Sequence, residues 1–180
     1  NGFGDINLGL EYGLKTAGNW VFSTTLTFGI PSGKSQAGSD GSYQTGDGEF
    51  NQLLQFNLGS GYGIGKQNFY LKSYFGLNNR TQGFSDEVHS YFETGTQVLK
   101  NKLLLLTRVH WIKPLYNGTL SAESSNGSIF ANNVESMILG GEMAFQIGKK
   151  WGVSATLTQP LFGKVIFKAT TYSGGIFFNL

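Results

Sequence analysis

In EVHSYFE, Glu87, His89, Tyr91 and Glu93 occupy every second position, and Arg108 and His110 do the same in RVH. These side chains hold protons, metals or charged solutes: histidine titrates near neutrality and serves as a general base or a ligand. Cleavage of a lipid or peptide would also need a nucleophile beside that base. Ser90 directly follows His89, and successive residues of an extended chain point to opposite faces, so Ser90 is out of reach. Two histidines and Glu87 could ligate a metal, but neither HxH nor HxxxH spacing occurs. No enzyme activity, metal or cofactor is therefore expected. Nucleotide motifs fail as well. IPSGKS ends like a phosphate-binding loop, yet the earlier glycine that loop requires falls on Phe28, and GSGYGIG places Ile64 where GxGxxG needs glycine.

The elements that must position these residues have a period of two. In DINLGLEYGLK, Ile6, Leu8, Leu10, Tyr12 and Leu14 alternate with Asn7, Gly9, Glu11, Gly13 and Lys15. Trp20, Phe22, Leu26, Phe28 and Ile30 repeat the pattern, as do Phe69, Leu71, Phe75 and Leu77, and later Met137, Leu139, Met143, Phe145 and Ile147. About nine such segments follow one another, each of roughly 10 to 13 residues, against about 5 to 6 for strands of globular proteins. A tilted strand needs about 9 to 11 residues to cross the hydrocarbon of a membrane. Length therefore favours a spanning strand.

Connections alternate between two kinds. Thr16-Ala17-Gly18, Gly63 to Gln67, Lys100-Asn101 and Gly148-Lys149-Lys150 are tight. Pro31 to Gly48 and Pro114 to Asn133 are long and polar, and the two remaining links are intermediate. Short turns on one rim and long loops on the other form the arrangement of outer-membrane barrels, with the turns in the periplasm. Trp20 and Trp151 then follow periplasmic turns and Trp111 precedes an outer loop, in the interfacial belts where an indole keeps its N–H wet. Lys15, Lys66, Lys100, Lys102, Lys149 and Lys150 gather at the short turns, as exposed-turn residues or as contacts to lipid headgroups.

Composition agrees. Only 13% of the 180 residues are charged, about half the share of soluble domains, and the 27 glycines are about twice the usual share. No apolar run reaches the roughly 18 residues of a transmembrane helix. A net charge of +2 is too small to argue for nucleic acid, and the absence of cysteine excludes disulfides and thiolate sites. No signal segment opens the chain, so the sequence is read as a mature or trimmed form. Residues 1–180 are expected to form a single all-β domain, an antiparallel transmembrane β-barrel. An odd number of visible strands conflicts with the even count of single-chain bacterial barrels, so a missing N-terminal strand and a full count of 10 or 12 are expected. A soluble β-sandwich or lipocalin-like fold is the competing class, with apolar faces turned inward on strands about half as long.

In the barrel, Asp5, Glu11, Lys72, Arg80, Glu93, Arg108 and Glu142 point inward, and a two-residue turn at Lys100-Asn101 sets Glu93 opposite Arg108 and Tyr91 opposite His110. Glu93 and Arg108 either neutralise each other and plug the interior or form a polar lining that selects solutes. The expected lumen-lining set is Glu11, Lys72, Tyr74, Tyr91, Glu93, Arg108, His110 and Glu142, with Glu87 and His89 near the outer end. Bulky residues in so small a barrel imply a tight or plugged lumen.

Two stretches resemble a known family. GFGDINLGLEYGL, followed by LTFGIPSGKS, is similar to the outer-membrane barrels grouped as "MetA-pathway of phenol degradation", related in style to FadL-like transporters. Those proteins open a strand with Gly-x-Gly-Asp and end the next in Pro-Ser/Thr-Gly. Ser173, Gly175, Phe178 and Leu180 also resemble the C-terminal insertion signal of outer-membrane barrels. The resemblance implies uptake of small, often hydrophobic compounds and transfers no site residue. The expected function is a narrow channel or transporter for small solutes in a Gram-negative outer membrane. A non-conducting anchor or subunit of a larger outer-membrane complex is the alternative, and a lipid-modifying barrel enzyme a third. Expected partners are outer-membrane lipids and lipopolysaccharide, a small solute, and proteins of the same membrane, but no nucleic acid.

Overall fold

A computed structural model describes residues 2–36, 43–116, 134–164 and 168–178. They form nine strands: β1 (Ile6–Ala17), β2 (Trp20–Ile30), β3 (Asn51–Ile64), β4 (Gln67–Arg80), β5 (Glu87–Val98), β6 (Leu103–Pro114), β7 (Glu135–Gln146), β8 (Trp151–Lys164) and β9 (Thr171–Phe178). The strands make one antiparallel sheet in chain order, with β1 and β9 as its two edges, so the sheet is open. Among the described residues no helix is long and apolar enough to cross a membrane. Eight strands run 11 to 14 residues, as the long alternating segments predict.

Side chains opposite each other in an antiparallel pair share a face, so the register assigns every strand residue to one of two sides. Leu8 opposes Phe28, Phe56 opposes Phe75, Val109 opposes Leu139 and Val153 opposes Ile176. This is a continuous apolar face. Thr25 opposes Gln55, Asn57 opposes Tyr74, Lys72 opposes Glu93 and Thr156 opposes Ser173 on the other, polar face. Burial is distributed against ordinary expectation. Leu10, Phe56 and Ile176 are 69%, 51% and 67% exposed, while Glu49, Asn78 and Glu87 are buried, and Phe84 is the one buried hydrophobic residue among those described. The polar side is thus the one that carries the buried side chains.

Two β-bulges modify the simple alternation. One between Gly13 and Lys15 sets Lys15 opposite Phe22, so Lys15 joins the apolar face rather than the polar positions its spacing predicts. The other, at Met137 and Ile138, faces Pro160, which has no N–H for a regular ladder. Nor is the polar face wholly polar, as the alternation implies: Leu104, Leu106, Ile112 and Ile138 lie on it, in register with Gln97, Gly95, His89 and His110.

Connections alternate as expected. Lys100 and Asn101 both have positive φ, and Lys102 N–H donates to Leu99 O at 3.3 Å, a type I′ turn whose twist matches its strands. Much of the long segment 115–133 lies outside the described residues, as does Leu180 of the C-terminal motif.

The Gly-x-Gly-Asp and Pro-Ser-Gly stretches meet. Gly33 N–H donates to Asp5 Oδ1 at 2.8 Å, Asp47 N–H to Asp5 Oδ2 at 3.2 Å, and the Ser32 hydroxyl to Gly4 O at 2.9 Å. A carboxylate therefore occupies the loop that superficially resembles a phosphate cradle. Glycine is required by the close approach: a Cβ on Gly33 would stand 2.7 Å from Thr45 O and 2.8 Å from Asp5 Oδ1. Asp5→Ala should raise amide exchange at Gly33 and Asp47 by about tenfold or more, the loss of charge-assisted hydrogen bonds. Exchange measured by NMR checks this, with the amides of β4 as the unchanged control.

Candidate functional site

The polar face is organised in three tiers. At the long-loop end Arg80 closes β4, and the guanidinium is shared by three carboxylates: Nε to Glu49 at 2.7 Å, Nη1 to Glu87 at 2.9 Å and Nη2 to Asp47 at 3.0 Å. Phe84 lies under it at 4.4 Å, and Arg80 is almost wholly buried. Glu49 also accepts from the Thr81 N–H at 3.0 Å and from Asn51 Nδ2 at 3.2 Å. These contacts fold the segment around residues 47–49 over the sheet. Burial raises Asp47 above its ordinary carboxylate range; the Glu49 N–H and the Arg80 charge oppose this, while the Glu49 and Asp5 charges add to it.

Below this tier, His89 Nε2 lies 3.0 Å from Glu87, and the His89 and His110 rings are 5.8 Å apart. Tyr74 stacks on Tyr91 at 5.3 Å, and its hydroxyl lies 3.1 Å from His110 Nε2. Their rows follow from the register, Asn57–Tyr74–Tyr91–His110 across β3 to β6. In the third tier Tyr70 donates to Glu93 at 3.0 Å, Tyr91 donates to the other oxygen of Glu93, and Arg108 pairs with Glu142. Glu93 does stand opposite Arg108, but the ion pair expected between them is replaced: two phenols donate to Glu93, one to each oxygen, and Arg108 reaches over Gly140 to Glu142 on the neighbouring β7. Only glycine allows that crossing, because a Cβ at Gly140 would meet Arg108 Cγ at 2.9 Å.

The register puts all eight expected lining residues on this one face. Glu11 accepts from the Ser23 hydroxyl at 2.6 Å, and Glu11, Lys72 and Tyr74 border a cavity of about 380 Å³ with Thr25 and Asn57. Glu142 borders another of about 390 Å³ with Gln97, Leu104 and Ser154. Ser90 pairs with Phe75 and Trp111 on the apolar face, away from His89. Asp47, Glu49 and Phe84 are additions that spacing does not reveal, whereas Asn78 falls on the polar alternation of β4, opposite Glu87. Asp47 and Glu49 lie in a long loop with no period, and nothing in their sequence position points to Arg80. No protein-family model, curated protein or solved structure matches this chain.

The two arginines should behave differently. Arg80→Ala leaves buried carboxylates uncompensated, so it should cost about 3–5 kcal/mol, with Arg80→Lys recovering only part because an ammonium cannot span three partners. Arg108→Ala, whose side chain is 32% exposed, should cost about 1 kcal/mol or less. Urea midpoints followed by tryptophan fluorescence measure both.

Proposed function

We propose that this sheet is the wall of a transmembrane β-barrel in a bacterial outer membrane and that it serves as a narrow channel or transporter for small solutes, hydrophobic ones included. The observation that carries this reading is the exposed apolar face. Half-exposed side chains such as Leu8, Leu10, Phe56, Phe75, Ile176 and Phe178 each forgo about 1 kcal/mol of burial in water. A dozen of them would match the whole stability of a typical domain, about 5–15 kcal/mol. Acyl chains would cover such a face without a second protein layer. Strands of 11 to 14 residues have the reach for a tilted crossing. Trp20, Trp111 and Trp151 lie toward the strand ends, all on the apolar face, as interfacial belts require. The resemblance of Gly2 to Leu14 and Leu26 to Ser35 to the barrels named above agrees with this reading.

A second reading has its own support. The Tyr74, Tyr91, His89 and His110 rings and the Arg80 network crowd the long-loop half of the polar side, as suits a plugged barrel that anchors a larger assembly.

Steady single-channel openings in planar bilayers are expected from the refolded chain; silence from well-folded protein favours the anchor. The membrane assignment has a separate test. Phe56→Arg, at the middle of β3 on the apolar face, should lower stability in phospholipid vesicles by about 2–4 kcal/mol. In a water-facing sheet the same change is neutral or helpful, so an unchanged urea midpoint overturns the membrane reading.

A further inference from the structure

We propose that the short-turn rim of the sheet is a contact surface for the phosphates of anionic glycerophospholipids. The short turns and their flanks, residues 15–20, 63–68, 98–103 and 146–151, hold six of the chain's 13 lysine and arginine residues and none of its 11 carboxylates. Lys15, Lys66, Lys100, Lys102, Lys149 and Lys150 are all exposed, and none has an ion-pair partner among the described residues. The carboxylates next along the strands, Glu11, Glu93 and Glu142, already hold the Ser23 hydroxyl, two phenols and Arg108. At the opposite rim, by contrast, Arg80 and Lys164 have carboxylate partners. The positive charge of the short turns is left to the surroundings.

Its layout selects among anions. The turns belong to successive hairpins, β1–β2, β3–β4, β5–β6 and β7–β8, of one sheet in chain order, and neighbouring turns are therefore two strand spacings, about 10 Å, apart. Lysines so spread do not converge on one small anion; they match a layer of separate ones. The bulge in β1 is an independent sign. It sets Lys15 opposite Phe22 on the apolar face, which Trp20, 42% exposed, shares. In a bilayer an ammonium is tolerated on that face only where its stem lies along hydrocarbon and its head reaches the phosphate level. Trp151, 41% exposed on the same face, directly follows Lys149 and Lys150. Lysine beside indole at the margin of an apolar face is the chemistry of a lipid interface.

This surface rests on the membrane reading and adds a lipid class to it. Tryptophan quenching in phosphatidylcholine vesicles tests it, with a minor fraction of either acyl-brominated phosphatidylglycerol or acyl-brominated phosphatidylcholine. Single-tryptophan variants, the other two changed to Phe, separate the signals. At Trp20 and Trp151 the anionic lipid should be preferred at least about fivefold, the worth of one lysine near an anionic surface, with a smaller preference at Trp111 on the far rim. Lys149→Gln with Lys150→Gln should lower the preference at Trp151 by about fivefold or more and leave that at Trp20. Heat-modifiable migration on gels verifies folding, and Lys15→Gln, read at Trp20, decides if the double variant does not refold. Equal quenching by the two lipids, an equal preference at Trp111, or a preference unchanged in these variants overturns the surface and leaves the membrane reading. Loss of the preference on adding inorganic phosphate, but not chloride at the same ionic strength, assigns the lysines to a free anion and overturns it too. Quenching by neither lipid overturns both.

Discussion

Everything in this structure depends on the division of one sheet into an apolar and a polar side, with no second sheet or helix over either among the described residues. In ordinary β proteins the apolar side is concave or sandwiched, and burial there drives folding. Here the polar side holds Asn78 and Glu87, with Glu49 folded over them, and the other side exposes leucines and phenylalanines. Within the described residues hydrophobic burial is therefore scarce, and the polar side is held together by hydrogen bonds and ion pairs.

That reversal explains the density of the Arg80 network. A buried guanidinium with one carboxylate seldom repays its desolvation, but three partners, a backbone N–H donated to Asp86 and an aromatic face beneath satisfy nearly every group at once. The same contacts tie the segment around Asp47 and Glu49 to β4 and β5, while Asp5 ties its other end to β1. Fold stability and site geometry are thus the same interactions. The lower tiers follow a weaker version of this rule: Glu93 is satisfied by neutral phenols and Arg108 by one partly exposed carboxylate.

Much of this was legible in the residues. Period two and segment length located all nine strands, and the turn at Lys100-Asn101 fixed the β5–β6 register, because strand pairing is set by side-chain alternation and by the turn. Three things were not legible. A bulge shifts Lys15 across the sheet without leaving a mark in the local pattern. The partner of Arg108 depends on which neighbour its long side chain can reach, and the small residue at Gly140 decides that in favour of Glu142. The carboxylates on Arg80 come from a loop, where no periodicity relates sequence position to space.

The two edges impose a further constraint on the membrane reading. Nine strands joined next to next, each antiparallel to the last, leave β1 and β9 running in the same direction. Direct contact between them would be a parallel pair, with slanted hydrogen bonds, whereas a further strand between them would keep every pair antiparallel. Water can solvate an open edge, but hydrocarbon cannot, at several kcal/mol for each unmatched group. β1 is exposed along its whole length, with Glu11 and Asn7 on one side and Leu8 and Leu10 on the other. Its partner in a bilayer must therefore continue both faces, polar against Glu11 and apolar against Leu10, whichever direction that partner runs.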